Sequence, residues 1–134
     1  RLAAPPGDKI YGALSVNVQA FASVEMIRRV APTAFQPPPT VDSAVVRVIP
    51  REIPAVEPEF EARFRAFVLA AFGLRRKQLV RVVRTITALD PERATAAIVS
   101  CGLTPDLRPE VLTAEDFSRL VRALDPLITP RRDR

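Results

Sequence analysis

Histidine and tryptophan are missing from this 134-residue chain, cysteine occurs once (Cys101), and glycine only four times. Without histidine, Ser-His-Asp and Cys-His catalysis and every histidine-ligated metal site are excluded. One cysteine forms no internal disulfide, a mild pointer to a reducing compartment. Gly7, Gly12, Gly73 and Gly102 are too scattered to build the phosphate-cradling loop of a G-x-G-x-x-G fold. No uncharged apolar run approaches the roughly 18 residues of a membrane helix, and no signal-peptide pattern opens the chain. A cytoplasmic protein without a membrane partner is expected. What is present is a globular composition, 48% hydrophobic and 26% charged, which suits one domain or slightly more with a real core. Arg1-Leu-Ala-Ala4 reads as the last turn of a helix begun elsewhere, so a truncated chain is expected.

Proline divides the sequence. Nine of its 14 prolines precede residue 59, and residues 59–90 have none. Strands and turns are therefore expected first and helices afterwards. Ser43–Ile49, rich in β-branched residues and bounded by prolines, predicts a buried strand, and Val24–Val30 a second. Residues 14–22 fit either period: Val16, Val18, Ala20 and Ala22 alternate, whereas Leu14, Val18 and Phe21 share a helical face. Further on, Phe60, Phe64, Phe67, Val68 and Ala71 mark a core-facing helix, followed by a helix over Arg75–Ile86. Asp90-Pro91 predicts an N-cap, Gly102 a C-terminal stop, and Thr113–Asp116 a capping box before Phe117, Leu120, Val121 and Leu124. Four helices packing their apolar stripes together is the expected solution.

Charge is unevenly spread. Residues 61–90 carry Arg63, Arg65, Arg75, Arg76, Lys77, Arg81 and Arg84 against Glu61 and Asp90, which accounts for the whole net charge of +5. On a continuous helix Lys77, Arg81 and Arg84 fall within about 60° of one another, opposite an apolar side. Such a row is either a solvated face or a phosphate-binding one. Like charges at i, i+4 cost a few tenths of a kcal/mol, and arginine suits bidentate phosphate contacts. Nucleic acid is the favoured partner, ahead of a membrane surface, because the opposite side looks like core.

The most distinctive stretch is Ala34-Phe-Gln-Pro-Pro-Pro-Thr-Val-Asp-Ser-Ala-Val-Val46. Consecutive prolines hold an extended course at little entropic cost. From the residues alone, Phe35 is either a core plug or an aromatic presented by a stiff loop. With Tyr11-Gly-Ala-Leu-Ser-Val-Asn-Val-Gln19, Ala71-Phe-Gly-Leu-Arg-Arg-Lys-Gln-Leu79 and Cys101-Gly-Leu-Thr-Pro-Asp-Leu-Arg-Pro-Glu-Val-Leu-Thr-Ala-Glu-Asp-Phe117, this stretch resembles the C-terminal part of the small-subunit ribosomal RNA adenine dimethyltransferases. Those enzymes convert two adjacent adenines to N6,N6-dimethyladenine. Erythromycin-resistance methyltransferases and mitochondrial transcription factors B share the proline motif more loosely.

The resemblance implies an α+β fragment: the last helix and antiparallel strands of a Rossmann-like methyltransferase sheet (1–50), a linker (51–57), a four-helix RNA-binding domain (58–128) and a frayed tail (129–134). It makes residues 13–22 a helix. It also assigns Phe35, Pro37 and Pro38 to the flipped target adenine, and Arg75, Arg76, Lys77, Arg81 and Arg84 to RNA, mostly through phosphate. The family usually has asparagines where this chain has Val82 and Val83, so no polar RNA contact is expected there. The family's S-adenosylmethionine loop and Asn-Leu-Pro-Tyr motif have no counterpart in this sequence, which alone is expected to hold neither cofactor nor catalytic residues. The expected partner is small-subunit ribosomal RNA in a pre-30S particle, bound by a monomer. The alternatives are a non-catalytic RNA-binding or ribosome-assembly module and, more weakly, a helical DNA-binding domain.

Overall fold

Most segment boundaries follow from where backbone N–H and C=O groups find partners. A computed structural model describes residues 1–128; the expected frayed tail, 129–134, lies outside them. The elements are α1 (Ala13–Gln19), β1 (Ala22–Val30), β2 (Ser43–Pro50), α2 (Glu61–Phe72), α3 (Leu79–Thr87), α4 (Pro91–Ser100) and α5 (Ala114–Ile128). Short 3-10 turns at Pro32–Ala34, Pro58–Phe60 and Pro109–Val111 each start on a proline, whose missing N–H costs nothing at that position. The four opening residues form one turn closed by the Ala4 N–H on the Arg1 carbonyl, not the end of a helix.

The ambiguous segment at 14–22 divides into a helix as far as Gln19 and a strand from Ala22. The Ser15 hydroxyl accepts the Gly12 N–H and donates to the Arg1 carbonyl, while the Gln19 side-chain amide donates to the carbonyls of Leu2 and Ala4. These bonds strap residues 1–12 across α1.

β1 and β2 form an antiparallel pair from Ala22–Pro50 to Val30–Ser43. The register shifts between Met26 and Arg28, so Ile27 bulges out and Arg29, rather than Arg28, continues the face of Val24 and Met26. The β-branched run at 43–49 predicts a buried strand, and the structure corrects this: Val45, Val48 and Ile49 are 44%, 49% and 53% exposed. Valine and isoleucine favour a pleated backbone, but burial needs a second layer. Residues from 1–10 share a hollow with Val24, Met26, Ala44 and Val46 without closing over that face.

The helical half is closer to expectation. Phe64, Phe67, Val68 and Ala71 of α2 and Phe117, Leu120, Val121 and Leu124 of α5 are buried. They share one core with Val16 and Ala20 around α1, Leu79, Val82 and Val83 of α3, and Ala94, Ala97 and Ile98 of α4. At its centre the rings of Tyr11, Phe72, Phe117 and Phe67 follow one another at centroid separations of 5.9, 5.9 and 6.3 Å. The Asp90 carboxylate caps α4 through the Arg93 N–H at 2.8 Å. Gly102, at φ 76°, turns the chain after α4, where an L side chain would be strained. Thr113 and Asp116 exchange the reciprocal bonds of a capping box at 3.0 and 3.1 Å.

One helix starts later than its sequence suggests. The spacing predicts a helix from Arg75, but residues 73–78 form turns and α3 begins at Leu79. The N–H groups of Leu79 and Val80 donate to the carbonyls of Leu107 and Pro105, at 2.6 and 3.1 Å. Partners from a distant loop thus satisfy donors that a further helical turn would otherwise have had to take up.

Two stability predictions follow from buried or strained groups. The Tyr11 hydroxyl donates to the Leu112 carbonyl at 2.6 Å inside the core. Burial, then the charges of Asp116 and Glu115, push the phenol above its ordinary pKa. The folded phenol holds its proton more tightly, so stability is full below the ordinary value near 10 and falls as pH rises above it. Tyr11→Phe should cost about 1–2 kcal/mol at neutral pH in urea unfolding. It should also lose stability less steeply than the wild type above pH about 10. Ala88 ends α3 at φ 61°, and Ala88→Gly should raise stability by about 0.5–1 kcal/mol in the same assay, the relieved left-handed strain outweighing the added unfolded-state entropy.

Candidate nucleic-acid interface

The start of α3 decides where the cations sit. Arg81 and Arg84 lie on one face of the helix, and Lys77 stands on the turn before it rather than in the helix. Lys77 nevertheless joins them: Leu74, Lys77, Arg81, Arg84 and Thr85 line a hollow of about 430 Å³. Thr85 donates its hydroxyl to the Arg81 carbonyl at 2.8 Å, which leaves the rim to positive charge alone. Val82 and Val83, on the other side of α3, are fully buried and contact no solvent-borne partner.

The seven cations of residues 61–90 divide into two groups. Arg63 pairs with Asp125, Arg65 with Glu61 at 2.8 Å, and Arg75 with Glu110 at 3.2 Å. Arg65 also lies over the Phe21 ring at 5.5 Å. Among the described residues, Arg76, Lys77, Arg81 and Arg84 have no carboxylate partner, and all four are exposed. Elsewhere Arg47 pairs with Glu25, Arg51 with Glu115, Arg119 with Asp116 and Arg122 with Glu57, while Arg1, Arg28, Arg29, Arg93 and Arg108 are exposed without a carboxylate partner among the described residues. The concentration of charge therefore rests on four side chains, three of them around one hollow.

Arg75 points elsewhere. It lines a second hollow, of about 360 Å³, with Lys9, Ile10, Leu14 and Phe72 among its walls. Lys9 shares this hollow with Arg75, a neighbour that sequence reading missed. It is 66 positions from Arg75, and no spacing or period links them.

Phe35 sits in the loop from Ala31 to Asp42, directly after the Pro32–Ala34 turn, its N–H donating to the Pro32 carbonyl at 3.2 Å. Its ring is 43% exposed, so it is not a core plug. Pro37 and Pro38 are exposed beside it, and the Gln36–Pro37 peptide bond is cis. Phe35, Pro37 and Pro38 line neither cationic hollow. The structure thus brings Lys77, Arg81 and Arg84 together and sets the aromatic apart on the hairpin.

Cys101, half-buried, directs its thiol at the Ala97 carbonyl, and burial raises its pKa. The resulting neutral thiol is a poor nucleophile. The glycines offer no anion cradle. Such cradles use free backbone amides, whereas all four glycine N–H groups are taken: by Glu110 for Gly7, Ser15 for Gly12, Leu69 and Ala70 for Gly73, and Val99 for Gly102. No glycine amide among the described residues is therefore free to cradle a nucleotide's phosphate.

Comparison with known proteins places the chain among relatives. A family described as ribosomal RNA adenine dimethylase matches residues 1–125. Ribosomal RNA small subunit methyltransferase A of Xanthomonas campestris pv. campestris (strain B100) is 46% identical over 120 residues, covering 90% of this chain and 44% of that protein. The protein of the same name from Synechococcus sp. (strain JA-3-3Ab) is 46% identical over 121 residues, covering 90% and 42%. The chain thus spans less than half the length of these relatives. A dimethyladenosine transferase from Plasmodium falciparum shares the fold with a TM-score of 0.70 at 21% identity, over 94% of this chain and 53% of that one. The 23S rRNA methyltransferase ErmE does so with a TM-score of 0.60 at 23% identity, over 86% and 46%. With 125 of its residues matched and no helix among the described ones long and apolar enough to cross a membrane, the chain belongs to the ribosomal RNA adenine dimethylase family.

Proposed function

We propose that this chain supplies the RNA-gripping and base-positioning portion of an enzyme that dimethylates N6 of two adjacent adenines in small-subunit ribosomal RNA. The hairpin is the closing pair of strands of a Rossmann-like methyltransferase sheet, which accounts for its uncovered valines and isoleucines. Residues 58–128 form the helical RNA-binding domain, joined by the linker at 51–57. The methyl donor, S-adenosylmethionine, is held by a part of the complete enzyme that these residues do not provide. The partner is ribosomal RNA of a pre-30S particle in the cytoplasm, met by a monomer.

The observation that carries this reading is the unanswered row of Lys77, Arg81 and Arg84 around one hollow. Phosphates would supply the missing countercharge and release bound cations as they do so. Arg76 extends the row. Phe35 takes a different role: it is held at a hairpin tip with its face available, and an aromatic face is worth about 1–3 kcal/mol to a stacked base. Methylation of an exocyclic amine needs the adenine outside its stack, which is where such a platform acts. Pro37 and Pro38 stiffen its approach.

The decisive measurement is the salt dependence of RNA binding by the chain. Replacing Lys77, Arg81 and Arg84 together by alanine should flatten the slope by up to about three phosphate equivalents. An unchanged slope would show that the row is only solvated. In the complete enzyme, Phe35→Ala should depress methylation of small-subunit RNA severalfold while leaving RNA affinity within about twofold, since a stacked base positions the reaction more than it anchors the strand. A purely structural Phe35 would instead lower the melting temperature.

A further inference from the structure

The hollow beside Arg75 belongs to none of the roles assigned so far. Its lining includes the cations Arg1, Lys9 and Arg75 and the apolar Ile10, Leu14 and Phe72. Ile10 and Leu14 are 54% and 51% exposed, so open apolar surface lies in the same hollow as positive charge. Among the described residues, the one acidic side chain bonded to these cations is Glu110, on Arg75; Asp8 uses an oxygen to accept the Ile10 N–H at 3.0 Å. That bond turns the chain so that Lys9 and Ile10 both reach the hollow.

Cations and open apolar surface in one hollow match a nucleotide, whose phosphate seeks charge and whose base seeks a flat greasy surface. Position matters as much as composition. The turn at 73–78 separates the two hollows, with Arg75 on one and Leu74 and Lys77 on the other. Arg75 and Lys77 are two residues apart, their Cα atoms within about 7 Å, so the two hollows share one short turn of backbone. Arg76, exposed and without a carboxylate partner among the described residues, stands between them.

We propose that this hollow is a second single-stranded RNA contact, in which Lys9 and Arg75 take a phosphate while Ile10, Leu14 and Phe72 take the attached base or ribose. The RNA then runs from the α3 ridge over the 73–78 turn towards the start of α1. The inference rests on the reading of the ridge as an RNA surface and extends it to an element 66 residues away in sequence.

The test is a salt titration of the 134-residue chain with a uridine-rich single-stranded RNA, read by fluorescence anisotropy. Lys9→Ala should lower the slope by about one, and by the same amount again when added to the ridge triple variant. Leu14→Asp should weaken binding by about fivefold or more, because it places a carboxylate against the strand. Circular dichroism of both variants should match the wild type, since both side chains are exposed. If the ridge variant loses its slope while Lys9→Ala and Leu14→Asp bind as the wild type does, the second contact is wrong and the ridge stands. If the wild type itself does not bind RNA, both readings fall. Weakening by Leu14→Asp with an unchanged Lys9→Ala slope would also overturn the proposal, as the phosphate would then be held elsewhere.

Discussion

Two backbone hydrogen bonds, from the N–H groups of Leu79 and Val80 to the carbonyls of Leu107 and Pro105, set the geometry on which the cationic surface depends. The first turn of any helix has donors without helical acceptors. Here no side chain caps α3, and a loop some 25 residues downstream does so instead. The connection also explains the shape of the surface. With α3 fixed at Leu79, the preceding cations fall on a turn rather than a helix, and a turn can send adjacent side chains to different hollows. A helix begun at Arg75 would have spaced Arg75, Arg76 and Lys77 around its axis at about 100° steps.

Charge pairing in this protein thins the positive field unevenly. Exposed ion pairs contribute about 0–1 kcal/mol each, so those of Arg47, Arg65 and Arg122 matter less for stability than for what they leave behind. Each removes a cation from the field seen by an approaching polyanion. Among the described residues the densest run of unanswered cations is Arg76, Lys77, Arg81 and Arg84; Arg1, Lys9, Arg28, Arg29, Arg93 and Arg108 are unpaired but spread along the chain. Electrostatic steering favours such focusing over an even spread of the same net charge.

The helices and their ends were legible because their signals are local. Phe64, Phe67 and Val68 repeat at helical spacing, Asp90 precedes a proline, and Thr113 and Asp116 are three apart, so periodicity and capping chemistry need only a short window. The misreadings share one cause, dependence on residues far away. Nothing near Arg75 announces Glu110, 35 positions on, and nothing near Leu79 announces Leu107. Burial of Val45, Val48 and Ile49 failed for a related reason: β-branching reports backbone preference, whereas exposure depends on which layer lies opposite. The proline run showed that Phe35 sits on a stiff loop but left open which way the ring faces, and the structure resolved that towards solvent.

That outcome bears on how precisely Phe35 can be placed. A two-stranded hairpin is marginal in water by itself, and its tip lies eight or nine residues from its root, about 25–30 Å for extended chain. The root is secured: Ala22 is buried, the Arg51 and Ala55 N–H groups donate to Phe21 and Ala20, and Arg51 reaches both the Gln19 carbonyl and Glu115. The bulge at Ile27 interrupts the ladder midway. Any bending there moves the ring by a distance that grows with the length of the arm beyond it. A stacking residue at the end of such an arm needs the hairpin faces covered to hold a base at reacting distance, whereas the cations on α3, seated on a packed core, need nothing further to hold phosphate. Under the proposed reading, gripping and positioning thus have different structural requirements: the first would be met by the chain's own core, the second by a sheet against the exposed hairpin faces.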